Sequence, residues 1–474
     1  MSSQHRPMRR FTPILASAAL VACHSGIPAP MSTSTTPDTS LLGMDMRRLA
    51  GDAWEGRGTG TPGNDSAAMY IARRYQALGL DVVTGPVAPV PPGSADRAAA
   101  DAKAAERWSI PGANTCAGRA GRLLESCARR YLQPFVARSM QAAHAGLPAA
   151  FQTQNVVAFI PGSDATLRGQ IVVLGAHFDH LGRSSFGAQD PEKAPEIHNG
   201  ADDNGSGTVA VMELARLLKR HPTKRSVAIV NFSGEELGLL GSAYFADHSP
   251  FALDSVQAML NFDMVGRLRN DKLLVYGVAT ATELPEVVRT ANSQAPLFKI
   301  SAIGDGFGPS DHSSFYAKNV SVLHFFTDVH EDYHRVTDDA DKIDFGGIAR
   351  IVALAERITR DLGDRPSRLT FVKSAAPVAS NSSRTGPQAS LGTIPDMGAT
   401  DVAGMRISGV RGGSPADVAG MKAGDIIVEL GGTPVKDLYT YSDALYSHSP
   451  GDVVTIVVMR GSERVTFKVT LGKR

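Results

Sequence analysis

Short, very apolar runs alternate with longer helical segments through the middle of the chain. The apolar runs cover residues 155–162, 170–177, 226–232, 258–264, 272–278 and 321–327. Runs with so few polar positions are typical of strands buried on both faces of a sheet. The segment 206–220 has apolar residues on one helical face, and a further helix is predicted at about 345–362. The alternation predicts an α/β fold, with a mostly parallel, mixed sheet and helices on both faces.

Length and composition indicate more than one domain. The chain has 474 residues, and 43% of them are hydrophobic, as in globular proteins. The net charge of +1 gives no reason to expect a nucleic-acid partner. Changes in composition predict, in chain order, a lipoprotein-type signal peptide at 1–23, a flexible tether at 24–40, a main domain at 41–363 with an insertion at about 85–130, a linker at 364–388 and a second domain at 389–474.

The first residues have the pattern of an export signal. Arg6, Arg9 and Arg10 precede an apolar stretch that ends in L-V-A-C at Cys23. This ending resembles a bacterial lipobox, which implies that Cys23 is lipidated and that the protein contacts the membrane through a lipid anchor only. His24 follows, and not the Asp that favours inner-membrane retention, so we expect the periplasmic face of the outer membrane. A plain signal peptide, with a periplasmic or secreted product, stays open.

Two further cysteines, Cys116 and Cys127, lie within the insertion. Two cysteines so close in the sequence of an exported protein are expected to form a local disulfide, although free thiols stay open. Neither lies beside a His-rich motif, so neither is predicted to be catalytic.

Acidic and imidazole side chains follow the ends of four predicted strands. They are His177 with Asp179, Glu235 with Glu236, Asp263 and His334, and Asp202 with Asp203 precede the helix that begins near Ser206. The carboxyl ends of parallel strands meet at one edge of a sheet, so these groups are expected to converge. Nitrogen and oxygen donors without cysteine suit Zn²⁺, with Mn²⁺ or Co²⁺ as alternatives. A shared carboxylate can bridge two such ions about 3.5–4 Å apart.

Each of these residues also has an ordinary structural interpretation. Asp202 and Asp203 can cap the following helix, and Glu235 and Glu236 can stabilise a helix N-terminus. A lone His177 is more often a core or surface histidine, and His334 can be a solvated loop residue. The whole set, in this order along one sheet, predicts a metal site.

The motifs together resemble a known family. G-A-H-F-D-H, H-N-G-A-D-D-N-G-S-G, G-E-E-L-G-L-L-G-S, L-N-F-D-M and Y-H-R-V-T-D are similar, in the same order, to those of secreted co-catalytic zinc aminopeptidases of the aminopeptidase Y and bacterial leucyl aminopeptidase type. The resemblance covers about 41–364, apart from the insertion. It implies a zinc-exopeptidase fold, two zinc ions and hydrolysis of N-terminal residues from peptides that have a free N-terminus.

The resemblance also implies a role for each motif residue. His177 and Asp263 would bind one zinc ion, Glu236 and His334 the other, and Asp203 would bridge both. Glu235 would act as the general base toward a hydroxide that bridges the metals, and Asp179 would orient His177. The adjacency of Glu235 and Glu236 by itself permits these two to exchange roles.

Other activities on the same scaffold stay open. Similar ligand sets occur in dipeptidases, carboxypeptidases and glutaminyl cyclases, and a non-catalytic peptide-binding protein is the alternative from another class. The segment G-P-S-D-H-S-S-F places Asp311 and His312 at a position that resembles a substrate-side segment of the family. A capped helix start is the other interpretation of these two residues.

The C-terminal segment resembles a PDZ domain. S-P-A-D-V-A-G-M-K-A-G-D-I-I, at 414–427, carries the most specific part of this likeness. PDZ domains bind extended peptides by adding a strand at a sheet edge. The likeness implies a carboxylate-binding loop at Leu391, Gly392, Thr393 and Ile394, and a ligand that is a peptide or the C-terminus of a partner. A structural appendage with an empty groove is the alternative.

Overall fold

The computed structural model describes residues 34–83, 125–138, 148, 150–295, 297–373, 389–395, 403–410, 413–436, 440–441, 444–445 and 447–473. The predicted signal peptide with Cys23, most of the tether and the part of the insertion that contains Cys116 lie outside these residues. Cys127 is disulfide-bonded, and its expected partner, Cys116, is not among the described residues. Within the described ranges, no helix has the length and apolarity needed to cross a membrane.

The regular elements alternate through most of the chain. The helices are α1 (Thr39–Leu49), α2 (Pro62–Ala77), α3 (Glu125–Ala128), α4 (Gly207–Arg220), α5 (Leu240–Asp247), α6 (Leu284–Ala291), α7 (His312–Tyr316), α8 (Phe345–Asp364) and α9 (Pro415–Val418). The strands are β1 (Leu132–Arg138), β2 (Ala150–Ile160), β3 (Ile171–His177), β4 (Ser226–Phe232), β5 (Val256–Phe262), β6 (Lys272–Tyr276), β7 (Lys299–Ile303), β8 (Val322–Phe326), β9 (Ala389–Ser390), β10 (Thr393–Pro395), β11 (Met405–Val410), β12 (Ile426–Leu430), β13 (Thr433–Pro434), β14 (Val453–Arg460), β15 (Glu463–Thr470) and β16 (Gly472–Lys473).

An eight-stranded mixed sheet organises the first domain, in the order β1-β2-β4-β3-β5-β8-β6-β7. Its centre, β4-β3-β5-β8, is parallel, whereas β2 pairs with β4 and β6 pairs with β8 in antiparallel register. The prediction of a mostly parallel, mixed sheet is therefore confirmed. The outermost strands, β1 and β7, were not predicted from the sequence. Edge strands do not need the continuous apolar pattern that marks a strand buried on both faces.

Helices cover both faces of this sheet, as predicted. Alternate residues of β4 point to opposite sides, so Val227 and Ile229 pack into one core and Val230 into the other. The first core includes residues of α1, α2, α4 and α8. The second core includes Phe245 of α5 and Phe315 of α7. Burial on both sides explains why the central strands are apolar along their whole length.

The packed body of this first domain, hereafter the sheet domain, extends past the predicted limits of 41–363. At the beginning, the backbone N–H of Asp38 donates to Glu213 Oε1 at 2.8 Å. At the end, the backbone N–H of Val372 donates to the carbonyl of Thr280 at 2.9 Å. Residues 34–40 and 364–373 therefore belong to the sheet domain, although they had been assigned to the tether and the linker.

The C-terminal domain is β-rich, as predicted. The strands β10, β11, β12, β14 and β15 form consecutive antiparallel pairs, β13 adds to β12, and β9 pairs with β16. The domain has its own core, which includes Leu391. Gly392 follows with a φ of +77°, and a Cβ at this position would lie 2.2 Å from Ser414 Cβ, so this position requires glycine. The predicted peptide-binding loop thus leads into β10, whose Thr393 hydroxyl lies 2.7 Å from that of Tyr441.

Candidate metal centre

The parallel strands bring the predicted metal ligands to one edge of the sheet. The strand β3 ends at His177, and β4 ends three residues before Glu235 and four before Glu236. Asp263 directly follows β5, and His334 lies in the long connection after β8. The four strands are neighbours in the parallel centre of the sheet, so these side chains meet as the sequence predicts.

Asp203 occupies the middle of this cluster. Its Oδ1 lies 3.4 Å from His177 Nε2, and its Oδ2 lies 3.0 Å from His334 Nε2. One carboxylate therefore turns one oxygen to each of two histidines from different parts of the chain. This is the arrangement expected of a carboxylate that bridges two metal ions.

The remaining donors form one group on each side of Asp203. On one side, His177 Nε2 lies 3.4 Å from Asp263 Oδ1 and 3.9 Å from Glu235 Oε2. On the other side, His334 Nε2 lies 3.2 Å from Glu236 Oε2. The five residues predicted as metal ligands, and the predicted base Glu235, are thus brought together in two adjacent groups.

The two histidine rings are oriented as metal ligands usually are. His334 Nδ1 lies 2.8 Å from the carbonyl oxygen of Gly187, which leaves Nε2 facing the carboxylates. His177 Nδ1 lies 3.2 Å from the carbonyl oxygen of Asp179 and 3.6 Å from its carboxylate. A metal-binding histidine typically ties its second nitrogen to a carbonyl or carboxylate in this way, which fixes the tautomer and the direction of the ring.

The carboxylate of Asp179 also supports Glu235. It accepts a hydrogen bond from Thr59 Oγ1 at 2.7 Å and one from the backbone N–H of Glu235 at 3.2 Å. Asp179 therefore contacts His177 chiefly through its carbonyl, and it links the turn after β3 to the turn after β4. The sequence predicted the contact of Asp179 with His177, but not its hydrogen bonds with Thr59 and Glu235.

Burial and crowding control the charges of the cluster. Burial raises the pKa of Glu235 well above its usual value, and the neighbouring charges of Glu236 and Asp263 add to this. Burial also raises the pKa of Asp203 to about 7. Burial disfavours the charged ring of His177, but Asp263 and Glu235 outweigh it and hold the pKa of this histidine well above its ordinary value. The raised pKa values show that the cluster favours bound protons, because the surrounding side chains do not neutralise all of its carboxylates. A divalent cation that displaces these protons would supply the missing positive charge.

The donor set fits zinc. Imidazole nitrogens and carboxylate oxygens are common zinc ligands, and each group here offers both kinds. Asp263 Oδ1 is buried and accepts no hydrogen bond from any residue that the structure describes, although its partner oxygen Oδ2 accepts one from Ser310 Oγ at 2.7 Å. A buried carboxylate oxygen without a hydrogen-bond donor, beside other potential metal ligands, is suited to bind a metal ion.

Arg57 fixes the loops behind the metal centre, and sequence reasoning missed it. Its guanidinium is fully buried and donates to four backbone carbonyls, those of Leu49, Phe178, Asn199 and Gly200, at 2.7–2.8 Å. Burial lowers its pKa to about 10, so it remains charged at neutral pH. Arg57 lies in the segment E-G-R-G-T-G, at 55–60. Its partners are backbone carbonyls, which every residue has, so the sequence does not indicate them.

Asp202 and Asp338 explain why the second aspartate of A-D-D-N enters the centre. The carboxylate of Asp338 accepts hydrogen bonds from the backbone N–H groups of Asp202 and Asp203, at 3.0–3.1 Å. Asp202 Oδ1 accepts from the backbone N–H of Gly266 at 2.7 Å, and Oδ2 lies 3.0 Å from His330 Nε2. The side chain of Asp202 is therefore engaged away from the cluster of predicted ligands, and the side chain of Asp203 is left to enter it.

Two cavities border the cluster. One, of about 100 Å³, is lined by acids of the centre and by the apolar side chains of Met264, Tyr276, Phe326 and Val329. The other, of about 240 Å³, is lined by His180 and Glu236, among other residues. Each cavity is therefore lined by at least one residue of the centre.

The predicted substrate-side pair, Asp311 and His312, lies at the start of α7 and is buried. Burial raises the pKa of Asp311 to about 7. The ring of His312 stacks on His324 at 4.4 Å between centroids. The smaller cavity is lined by His324 and Ser310, and neither Asp311 nor His312 is among the residues that line it. A substrate-side role for the pair stays a prediction.

The matches to sequence families agree with this geometry. Residues 155–359 match the sequence model of Peptidase family M28, and residues 379–471 match that of the PDZ domain. The chain carries an M28 peptidase domain followed by a PDZ domain, which confirms the family resemblance predicted from the motifs.

Individual relatives are similar over part of their length. A probable leucine aminopeptidase from Arthroderma otae is 33% identical over 212 residues, which are 41% of this chain and 53% of that protein. Aminopeptidase YwaD from Bacillus subtilis is 32% identical over 154 residues, which are 30% of this chain and 33% of that protein. The chain thus spans about half, or less, of the length of these relatives. The solved structure of BSAP, a zinc aminopeptidase from Bacillus subtilis, is 20% identical, with a TM-score of 0.49 over 70% of this chain and 97% of that one.

We predict that Arg57→Met destabilises the sheet domain by more than ~3 kcal/mol. The carbonyl of Gly200 keeps the backbone N–H of Gly205 as a donor at 3.1 Å, but the other three carbonyls lose the arginine, and each buried carbonyl left without a donor costs about 1–3 kcal/mol. Urea unfolding, followed by tryptophan fluorescence, measures this, since Trp54 lies in the sheet domain. Arg183→Met is the matched control: this arginine is 45% exposed and pairs with an exposed Glu55, so its loss should change stability by ~0.5 kcal/mol or less. An Arg57→Met variant that unfolds at the wild-type urea concentration would contradict the assigned role.

Proposed function

We propose that the protein is a two-zinc aminopeptidase that removes N-terminal residues from peptides. The observation that carries this proposal is the placement of Asp203, with one oxygen toward His177 and the other toward His334. The M28 family match supports peptide hydrolysis, and the name of the Arthroderma relative supports the aminopeptidase direction.

In the proposed reaction, the metals would activate water, and side chains of the protein would hold the metals and transfer a proton. Two zinc ions would supply an activated water and a positive field for the oxyanion that develops on the scissile carbonyl. Asp203 holds the two sites at a fixed separation. His177 with Asp263, and His334 with Glu236, complete one site each. Glu235 then accepts a proton from the attacking water and delivers it to the leaving amine.

The contacts of the two adjacent glutamates favour Glu235 as the base. Glu236 is engaged through both oxygens, with Oε1 2.8 Å from His180 Nδ1 and Oε2 3.2 Å from His334 Nε2. Glu235 Oε2 lies farther from a histidine, 3.9 Å from His177 Nε2, and the side chain is 12% exposed. A base must reach both water and substrate, so the less engaged and more accessible glutamate suits that role.

The smaller cavity suits the N-terminal residue of the substrate. Its lining includes the acids Glu235 and Asp263, which would attract a free α-ammonium group, and the apolar side chains of Met264 and Phe326. We therefore propose that the preferred N-terminal residue has an uncharged, apolar side chain.

Incubation of the purified protein with a free peptide and with its N-acetylated twin tests the proposal, with products followed by mass. We expect stepwise loss of N-terminal residues from the free peptide only, and no loss after a chelator removes the metal. Cleavage of both peptides from the C-terminal end would contradict the aminopeptidase assignment. Cyclisation of an N-terminal glutamine without hydrolysis would contradict it in favour of a glutaminyl cyclase.

The adjacent glutamates provide matched control variants for this assay. Glu235→Gln should lower kcat by about 10²–10⁴-fold while the bound zinc is unchanged, since it removes only the proton carrier. Glu236→Gln should lower the zinc content. If instead Glu235→Gln loses zinc and Glu236→Gln retains it, the two roles are exchanged.

We propose that the PDZ domain presents long peptides to the peptidase domain. The glycine-dependent loop at Leu391 and Gly392 lies before β10, where such domains add a peptide strand. Truncation after residue 380 should leave kcat/KM for a dipeptide unchanged and lower it severalfold for a long peptide. Equal kcat/KM of the two forms on long peptides would exclude this role.

We also propose that the protein is exported and held at the bacterial outer membrane by a lipid on Cys23. The basic and apolar segments before this cysteine support the proposal. Cys23→Ala should move the protein from the membrane fraction to the soluble fraction. A variant that stays with the membrane after processing would overturn it.

A further inference from the structure

His180 lies inside the metal centre but has no role in the ligand set described above. It follows β3 by three residues, is 1% exposed, and places Nδ1 2.8 Å from Glu236 Oε1. With Asp203 and Glu236 it forms a group whose donor atoms all lie within 4.8 Å of one another. Distance alone would make it a candidate ligand.

The orientation of the His180 ring argues against direct ligation. His177 and His334 tie Nδ1 to backbone carbonyls and turn Nε2 toward the carboxylates. His180 does the reverse: its Nδ1 faces a carboxylate, and its Nε2 is buried without a hydrogen-bond partner in the described part of the chain. Since a buried N–H without an acceptor is costly, the ring proton lies on Nδ1, where it is donated to Glu236.

Because of this hydrogen bond, the two carboxylate oxygens of Glu236 have different partners. Oε1 accepts from His180, and Oε2 lies 3.2 Å from His334 Nε2, on the side of Asp203. A glutamate side chain has several rotatable bonds, so it needs such a contact to hold one oxygen toward an ion. His180 thereby determines which oxygen Glu236 presents.

The surroundings hold the His180 ring in place. Gly200, in the loop that leads to Asp203, packs so closely that a Cβ there would lie 2.3 Å from the His180 ring. His180 and Glu236 both line the larger cavity, together with Thr59 and Arg183. The ring is therefore held between the loop that leads to Asp203 and the carboxylate of Glu236.

We infer that His180 is a positioning residue for the second zinc site, formed by Asp203, Glu236 and His334. Its Nδ1–H holds Glu236 Oε1, so that Oε2 is directed at the ion. The inference rests on the proposed two-zinc function and adds to it a residue outside the ligand set.

Two variants of the full-length protein separate this role from ligation and from simple packing. His180→Asn keeps an N–H donor close to the position of Nδ1 but offers no ring nitrogen, whereas His180→Leu removes the donor at similar size. Zinc affinity and stoichiometry are measured for each by competition with a chromogenic zinc chelator. Thermal unfolding of the metal-free proteins shows that both variants fold.

We expect wild type to bind two ions and His180→Leu to bind the second about 10–100-fold more weakly, with the first unchanged. His180→Asn should recover most of this loss. In the Glu236→Gln background, His180→Leu should have little further effect, because both changes act on one contact. His334→Ala, which removes a ligand, should abolish the second ion altogether.

Three results would overturn the inference. Wild-type affinity of His180→Leu for both ions would show that the hydrogen bond does not position Glu236. A loss in His180→Asn as large as in His334→Ala would identify His180 as a ligand. A wild-type protein that binds no zinc would overturn the proposed function, and the inference with it, so the two failures are distinguishable.

Discussion

The structure depends on a concentration of buried negative charge at one edge of a parallel sheet. Asp179, Asp203, Glu235, Glu236 and Asp263 all converge there. Carboxylates in such surroundings are unfavourable unless cations or hydrogen-bond donors compensate them. The chain supplies part of this compensation through His177, His334 and the backbone N–H groups around them. Divalent ions would supply the rest, so metal binding and the stability of this edge are coupled.

Hydrogen bonds to the backbone determine which carboxylates face the candidate metal centre. Arg57 binds four carbonyls of the surrounding loops, and Asp338 binds the N–H groups of Asp202 and Asp203. These contacts orient the loop after Gly200 so that Asp203 points inward and Asp202 points away. Arg57 and Asp338, which are not among the predicted metal ligands, therefore position the cluster through their contacts with the loop backbone.

The sequence predicted what depends on residue type and strand position, and missed what depends on loop conformation. The convergence of His177, Glu235 and Asp263 was predictable from the sequence, because side chains that follow neighbouring parallel strands lie at one edge of the sheet. Arg57 was not, because its partners are carbonyls that any residue provides. His180 lay inside a recognised motif, but its role depends on the direction of a ring. The segment 365–373 has no strand or helix periodicity, so its packing on the sheet domain was also not predictable.

The central proposal is that Asp203 would bridge two zinc ions. The most direct measurement is diffraction from crystals of the protein grown with zinc, with data recorded on both sides of the zinc absorption edge. The account predicts two anomalous peaks about 3.5–4 Å apart, one beside each oxygen of the Asp203 carboxylate. A single peak, or two peaks that do not flank Asp203, would contradict it.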